Sequence, residues 1–136
     1  DLKLTIDISE GSIELSDSNI MWKEDVKIKL DECYLTYDES QINLNGKIVV
    51  NFLDLDNFYK SFQVNKNNRK KIKQIEFYFV YDFNNNKINF SNSLIDDSPN
   101  SNTEYFFENF NSKGNNIFNK VRLKNFINSF FQAYAG

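Results

Sequence analysis

The chain contains no histidine, so imidazole-based acid/base catalysis, Ser-His and Cys-His nucleophile pairs and imidazole metal ligation are all excluded. Cys33 is the only cysteine, which leaves no disulfide framework and no cysteine metal cluster. No apolar run approaches the roughly 18 residues of a membrane-spanning helix, and no signal-peptide core is present. Proline occurs once and glycine four times, few for a chain with many turns; asparagine takes their place, closing turns through its side chain. Basic charge is also short, with net charge −3, which argues against a nucleic-acid partner because phosphate contacts need a positive surface. What is abundant is aromatic: 14 Phe and 7 Tyr raise the aromatic share to 16% and tilt the composition towards strands. The 136 residues suit one domain with one core.

Alternation with period two organises most of the chain. Leu2, Leu4, Ile6 and Ile8 predict a half-buried strand, followed by a turn at Ser9–Ser12, then Ile13, Leu15 and Ile20-Met21-Trp22. Val26, Ile28 and Leu30 alternate, but Cys33, Leu35 and Tyr37 continue on the opposite parity, so a bulge is predicted near Asp31-Glu32. Ile42, Leu44, Gly46, Ile48, Val50 and Phe52 give the longest clean alternation and a central strand. Leu55, Phe58, Tyr59 and Phe62 fall at helical spacing, and Lys66–Lys73 reads as an exposed basic loop. The strand IEFYFVYDF, residues 75–83, leads through an Asn-rich turn to Ile88, Phe90 and Leu94-Ile95. Residues 96–104 read as a mobile loop, Tyr105–Phe110 as a short aromatic patch, and residues from about 115 to 135 as an amphipathic helix. The expected architecture is mainly β: a curved antiparallel meander of about six to seven strands with a C-terminal amphipathic helix.

Few residues invite chemistry. Asp54-Leu55-Asp56-Asn57 has the opening of a calcium loop but lacks its glycine and distal glutamate, and reads as a helix cap or a solvated turn. Asp96-Asp97 reads as a polar loop and Cys33 as a small buried residue. Asn89-Phe90-Ser91 matches a short glycosylation sequon. Lys66, Arg69, Lys70, Lys71 and Lys73 suit either a solvated loop or an anionic phospholipid surface. No catalytic residue, metal or cofactor is expected.

The apolar rows carry the functional question. In IEFYFVYDF one face holds Ile75, Phe77, Phe79, Tyr81 and Phe83 without interruption, and the other holds Glu76, Tyr78, Val80 and Asp82. The odd row is expected to form an apolar floor, with Tyr78 and Val80 covered by helix or membrane-side structure; alternation alone also allows floor and roof to be exchanged. A helix of about 20 residues is roughly 30 Å long and 10 Å wide. A six-strand sheet is roughly 25 Å across at about 4.8 Å per strand. One helix leaves part of such a face open, and an open apolar face marks an interaction surface.

The hairpin ladder with Asn-Gly-Lys-Ile at 45–48, the segment KIKQIEFYFVYDF at 71–83 and the close NIFNKVRLKNFINSFFQAYAG at 116–136 resemble the C-terminal region of bacterial AsmA-like proteins. The resemblance implies a curved sheet open along one side, anchored in the inner membrane and reaching into the periplasm of Gram-negative bacteria. It further implies a non-enzymatic role, sheltering phospholipid acyl chains between the two membranes. The terminal helix is expected either to cap the end of the groove or to dock an envelope partner. Because the chain begins at Asp1 and is in strand pattern by Leu2, it reads as a fragment or processed chain whose membrane segment lies outside it. Alternation nominates Ile42, Leu44, Ile48, Val50, Ile75, Phe77, Phe79, Tyr81 and Phe83 as the lipid groove. The competing reading is a closed β-sandwich that recognises protein or carbohydrate through exposed aromatics such as Trp22.

Overall fold

A computed structural model describes residues 2–9 and 12–136, with side chains described from residue 18 onward. The centre of the predicted Ser9–Ser12 turn and the side chains of the first strand therefore lie outside the described residues. The strands are β1 (Leu2–Ser9), β2 (Ser12–Trp22), β3 (Val26–Asp38), β4 (Gln41–Phe52), β5 (Gln74–Asp82), β6 (Lys87–Ile95) and β7 (Ser98–Pro99). They form one antiparallel sheet in strict sequence order, six full strands and a two-residue seventh. Among the described residues there is no second sheet of the kind a sandwich requires. The helices are α1 (Leu55–Ser61), α2 (Ser101–Ser112) and α3 (Lys120–Ala135), with a 3₁₀ turn at Lys66–Asn68.

The predicted bulge is present: the β3–β4 register shifts between Asp31 and Tyr34, and Glu32 adopts a positive φ of 50°. One extra residue turns Cys33 onto the face shared by Leu30 and Leu35. There its sulfur fills the space beside Gly46, where a Cβ would stand 2.2 Å from Cys33 Sγ and 3.0 Å from the Phe79 ring. Gly46 is thus fixed by close approach across strands, and Cys33 is fully buried. Burial pushes the Cys33 thiol up, in keeping with an inert packing residue.

Register then sorts the sheet into two faces. Leu44 pairs with Tyr81, Ile48 with Phe77 and Val50 with Ile75, so the apolar rows of β4 and β5 share one face, here called inner. On the outer face Lys47 lies 3.4 Å from Glu76, 3.7 Å from Asp31 and 3.7 Å from Glu32. Burial alone would pull the Lys47 ammonium down, but Glu76, Glu32 and Asp31 together hold it above its ordinary value. All three helices pack on the inner face. Phe58 of α1 meets Phe52, Phe107 of α2 meets Phe77 and Phe90, and Phe126 of α3 meets Phe90. Tyr78 and Val80, expected under helix or membrane-side structure, are exposed on the outer face, away from the helices. The helices follow the longer apolar row, and a hydrogen bond from Tyr78 Oη to Glu32 suits a wet surface.

Two further expectations are corrected by asparagine and aspartate caps. Residues 96–104 are an ordered turn, β7 and the first turn of α2, not a mobile loop. Asp96 Oδ1 accepts from the backbone N–H groups of Lys73 and Gln74 at 2.8 and 2.9 Å, and Asn100 Oδ1 caps α2 at Thr103 N. The aromatic patch at 105–110 belongs to α2, with Phe107 buried. The terminal helix begins at Lys120 rather than near 115, because Asn119 caps it through Arg122 N. Asp54 is the N-cap of α1, the first of the two readings its sequence offered. Ile72, within the expected exposed loop, is buried.

Gly46→Ala forces its new methyl into Cys33 Sγ and is expected to cost about 1–3 kcal/mol, the usual scale of core overpacking. Urea denaturation checks this, and adding Cys33→Ala is expected to recover part of the loss.

Candidate functional site

The inner face is not uniformly covered. Val26, Ile75, Ile88, Phe90 and Ile95 are buried, while Ile28, Leu30, Leu44, Ile48 and Val50 towards the β2 side are only half-buried. Between that half-covered strip and α3 lies a cavity of about 210 Å³. Its floor is Val26, Ile28, Ile48, Val50, Phe52, Ile75, Phe77 and Phe90, and its roof is Phe58, Phe62, Leu123, Phe126, Ile127, Phe130 and Phe131. Ile117 and Trp22 complete the lining, which is apolar throughout. An apolar cavity of about 150 Å³ stays dry and accepts a small hydrocarbon, so the space suits a nonpolar guest and offers nothing to a polar one.

Four of the nine sequence-nominated residues line this groove: Ile48, Val50, Ile75 and Phe77. Phe79 lies on the same face but is sealed under Gly46 and Cys33. Leu44 and Ile42 are half-buried further along β4. Tyr81 meets Phe83 at 4.6 Å and Phe118 at 4.9 Å, both edge-on, at the other end of β5; Phe83 itself stands just beyond β5 and is exposed. Sequence nomination omitted Trp22, Val26, Ile28 and the whole helical roof. Val26 and Ile28 carried the same alternation signal, and the roof was visible as the apolar stripes of the helix at 55–62 and of the terminal helix, but not which sheet residues they would meet.

The roof is held by polar bonds at its margin. Asn128 Nδ2 donates to the Phe62 carbonyl at 2.9 Å, and Lys124 Nζ bonds Gln63 Oε1, tying α3 to the end of α1. Phe131 meets Tyr59 edge-on at 5.0 Å. The Tyr59 hydroxyl in turn donates to the Lys70 carbonyl at 2.6 Å and accepts from Lys70 N at 3.2 Å, and Arg69 lies over its ring. Tyr59 therefore links the groove wall to the basic segment. Asp25, buried at the β2–β3 turn, accepts both hydrogen bonds of Asn57 Nδ2 at 2.8 Å and fixes α1 from the other side.

Among the described residues no helix is long and apolar enough to cross a membrane, and no group of metal-ligating side chains is assembled. Comparison of the chain with protein-family models, with curated proteins and with solved structures finds no match.

Burial pushes the Tyr59 phenol up to about 12. An unfolded tyrosine titrates near 10, so the neutral phenol contributes stability that is complete below about pH 10 and is lost as pH rises to about 12. Tyr59→Phe, which cannot ionise, is expected to flatten this part of the stability-versus-pH curve, measured by urea denaturation at fixed alkaline pH values. It is also expected to lower stability at neutral pH by about 1 kcal/mol through the lost hydrogen bonds.

Proposed function

We propose that this chain is a non-enzymatic lipid-handling module that shelters hydrocarbon chains between the inner face of its sheet and α3. The observation that carries the reading is the groove itself: an apolar space bounded by β3–β6 and α3, next to a strip of the same sheet that the helices leave half-covered. Removing apolar surface from water contributes about 25 cal/mol per Å². An acyl chain laid along Ile28, Ile48 and Val50 would complete the cover that the helices begin. The mechanism is passive: the chain supplies shape and dryness, and nothing is chemically altered. On this reading the protein acts in the cell envelope, as an AsmA-like conduit for phospholipid between inner and outer membranes, held to the inner membrane by a segment outside this chain, with α3 available to an envelope partner.

Trp22 gives a direct test, because it is the only tryptophan, lines the groove and is 39% exposed. Stearic acid brominated along its chain is expected to quench Trp22 fluorescence saturably, since bromine quenches only on contact. Ile48→Phe, which fills the floor with a larger side chain, is expected to abolish the quenching while leaving the far-ultraviolet circular dichroism unchanged. Quenching that is absent, or that rises linearly as in free solution, would remove the groove reading.

A further inference from the structure

Charge is segregated along the chain. From residue 109 to residue 136 there are Lys113, Lys120, Arg122 and Lys124 and no aspartate or glutamate. This stretch supplies the end of α2, the connection and all of α3. Between the two helices opens a second cavity of about 300 Å³. Lys113, Arg122, Asn109, Asn125 and Ser129 line it, and no carboxylate does. Among the described residues, neither Lys113 nor Arg122 forms an ion pair.

Arg122 is held in place. Its Nη1 donates to Asn116 Oδ1 at 3.0 Å, and the buried Asn116 is anchored in turn by donating from Nδ2 to the Asn86 carbonyl at 2.9 Å. One corner of the guanidinium is thereby fixed while the rest of its donor fork stays unused. A fixed guanidinium, an ammonium and side-chain amides in one concavity offer N–H donors and positive charge to an anion, and repel a cation. The fork suits the oxygens of a phosphate, and the amides and hydroxyl suit its alcohol portion.

The two cavities share a wall. Phe126 lines both the apolar groove and this polar cleft, so a molecule with a hydrocarbon end and an anionic end can place one on each side of that ring. We propose that the α2–α3 cleft is a headgroup subsite that takes a phosphate ester, with Lys113 and Arg122 as its charged contacts. This inference rests on the groove reading for its lipid source, and the phosphate chemistry is tested separately.

Two measurements divide the question. Trp22 quenching compares brominated phosphatidylglycerol with a brominated diacylglycerol carrying the same chains, and nuclear magnetic resonance follows the side-chain amides of Asn109 and Asn125 during titration with glycerol phosphate. The phosphatidylglycerol is expected to reach half-quenching at about a tenfold lower concentration, a difference of about 1.4 kcal/mol. Lys113→Gln combined with Arg122→Gln is expected to erase that preference and leave diacylglycerol quenching unchanged. Because Arg122 also braces Asn116, Lys113→Glu alone is the second variant; Lys113 is exposed and its side chain makes no hydrogen bond, and its reversal is expected to lower the preference in a folded protein. Equal half-quenching concentrations in the parent, or a preference that survives both variants, would overturn the headgroup subsite. If neither lipid quenches Trp22, the groove reading fails. Saturable amide shifts with glycerol phosphate, lost in the variants, would then keep the phosphate-ester site and assign it a soluble ligand, whereas absent shifts would overturn it too.

Discussion

Phe90 is the pivot of this molecule. Projecting from β6, its ring meets Phe77 at 5.3 Å, Phe107 at 5.4 Å, Phe110 at 5.6 Å and Phe126 at 5.0 Å, so one side chain joins the sheet to both long helices. Offset and edge-on ring pairs add about 0.5–1.5 kcal/mol each beyond simple burial, and their angular preferences fix where α2 and α3 can sit. α2 packs over β6, while α3 reaches from Phe90 of β6 to Phe52 of β4. The part of the inner face towards β2 is left to the shorter α1 and to the groove beneath α3.

The two faces of the sheet divide their work accordingly. The outer face carries its polar groups, with a half-buried Lys47 among three carboxylates, Asp31, Glu32 and Glu76. The inner face carries the apolar surface that drives folding, and the caps that seat the helices on it are mostly asparagine and aspartate: Asp54, Asn100 and Asn119. Basic residues gather where the carboxylates are absent, on the segment between α1 and β5 and along α3. Basic charge and the apolar groove thus lie among the helices, while the carboxylates around Lys47 lie on the outer face.

Strands were the legible part of this sequence, since period two in Ile42–Phe52 and Ile75–Phe83 survives any tertiary context. The Asp31-Glu32 bulge was legible as a change of parity. Helix α2 was not, because its signal is Asn100 at the cap, and this chain uses asparagine equally to close turns. The covered face was misjudged for Tyr78 and Val80 because apolar residues occur on both faces of β5, and only the positions of Phe107 and Phe126 decide between them. Half of the groove was unreachable in principle: its roof pairs residues of α3 with residues of β3 and β4 some seventy or more positions earlier, and no local pattern encodes that pairing.

Strict sequence order in the sheet has a kinetic consequence. Tight turns join β2 to β3, β3 to β4 and β5 to β6, whereas residues 53–73 separate β4 from β5 with α1 and the 3₁₀ turn. Neighbouring strands close by short loops, a low contact order that favours rapid zipping, so the chain divides into two locally assembling units, β1–β4 and β5–α3. Sub-global opening follows such boundaries, and here the boundary runs through the groove, whose floor is drawn from β3 and β4 on one side and from β5 and β6 on the other. On the function proposed above, a hydrocarbon chain lying across that floor would bridge the two units and resist their separation.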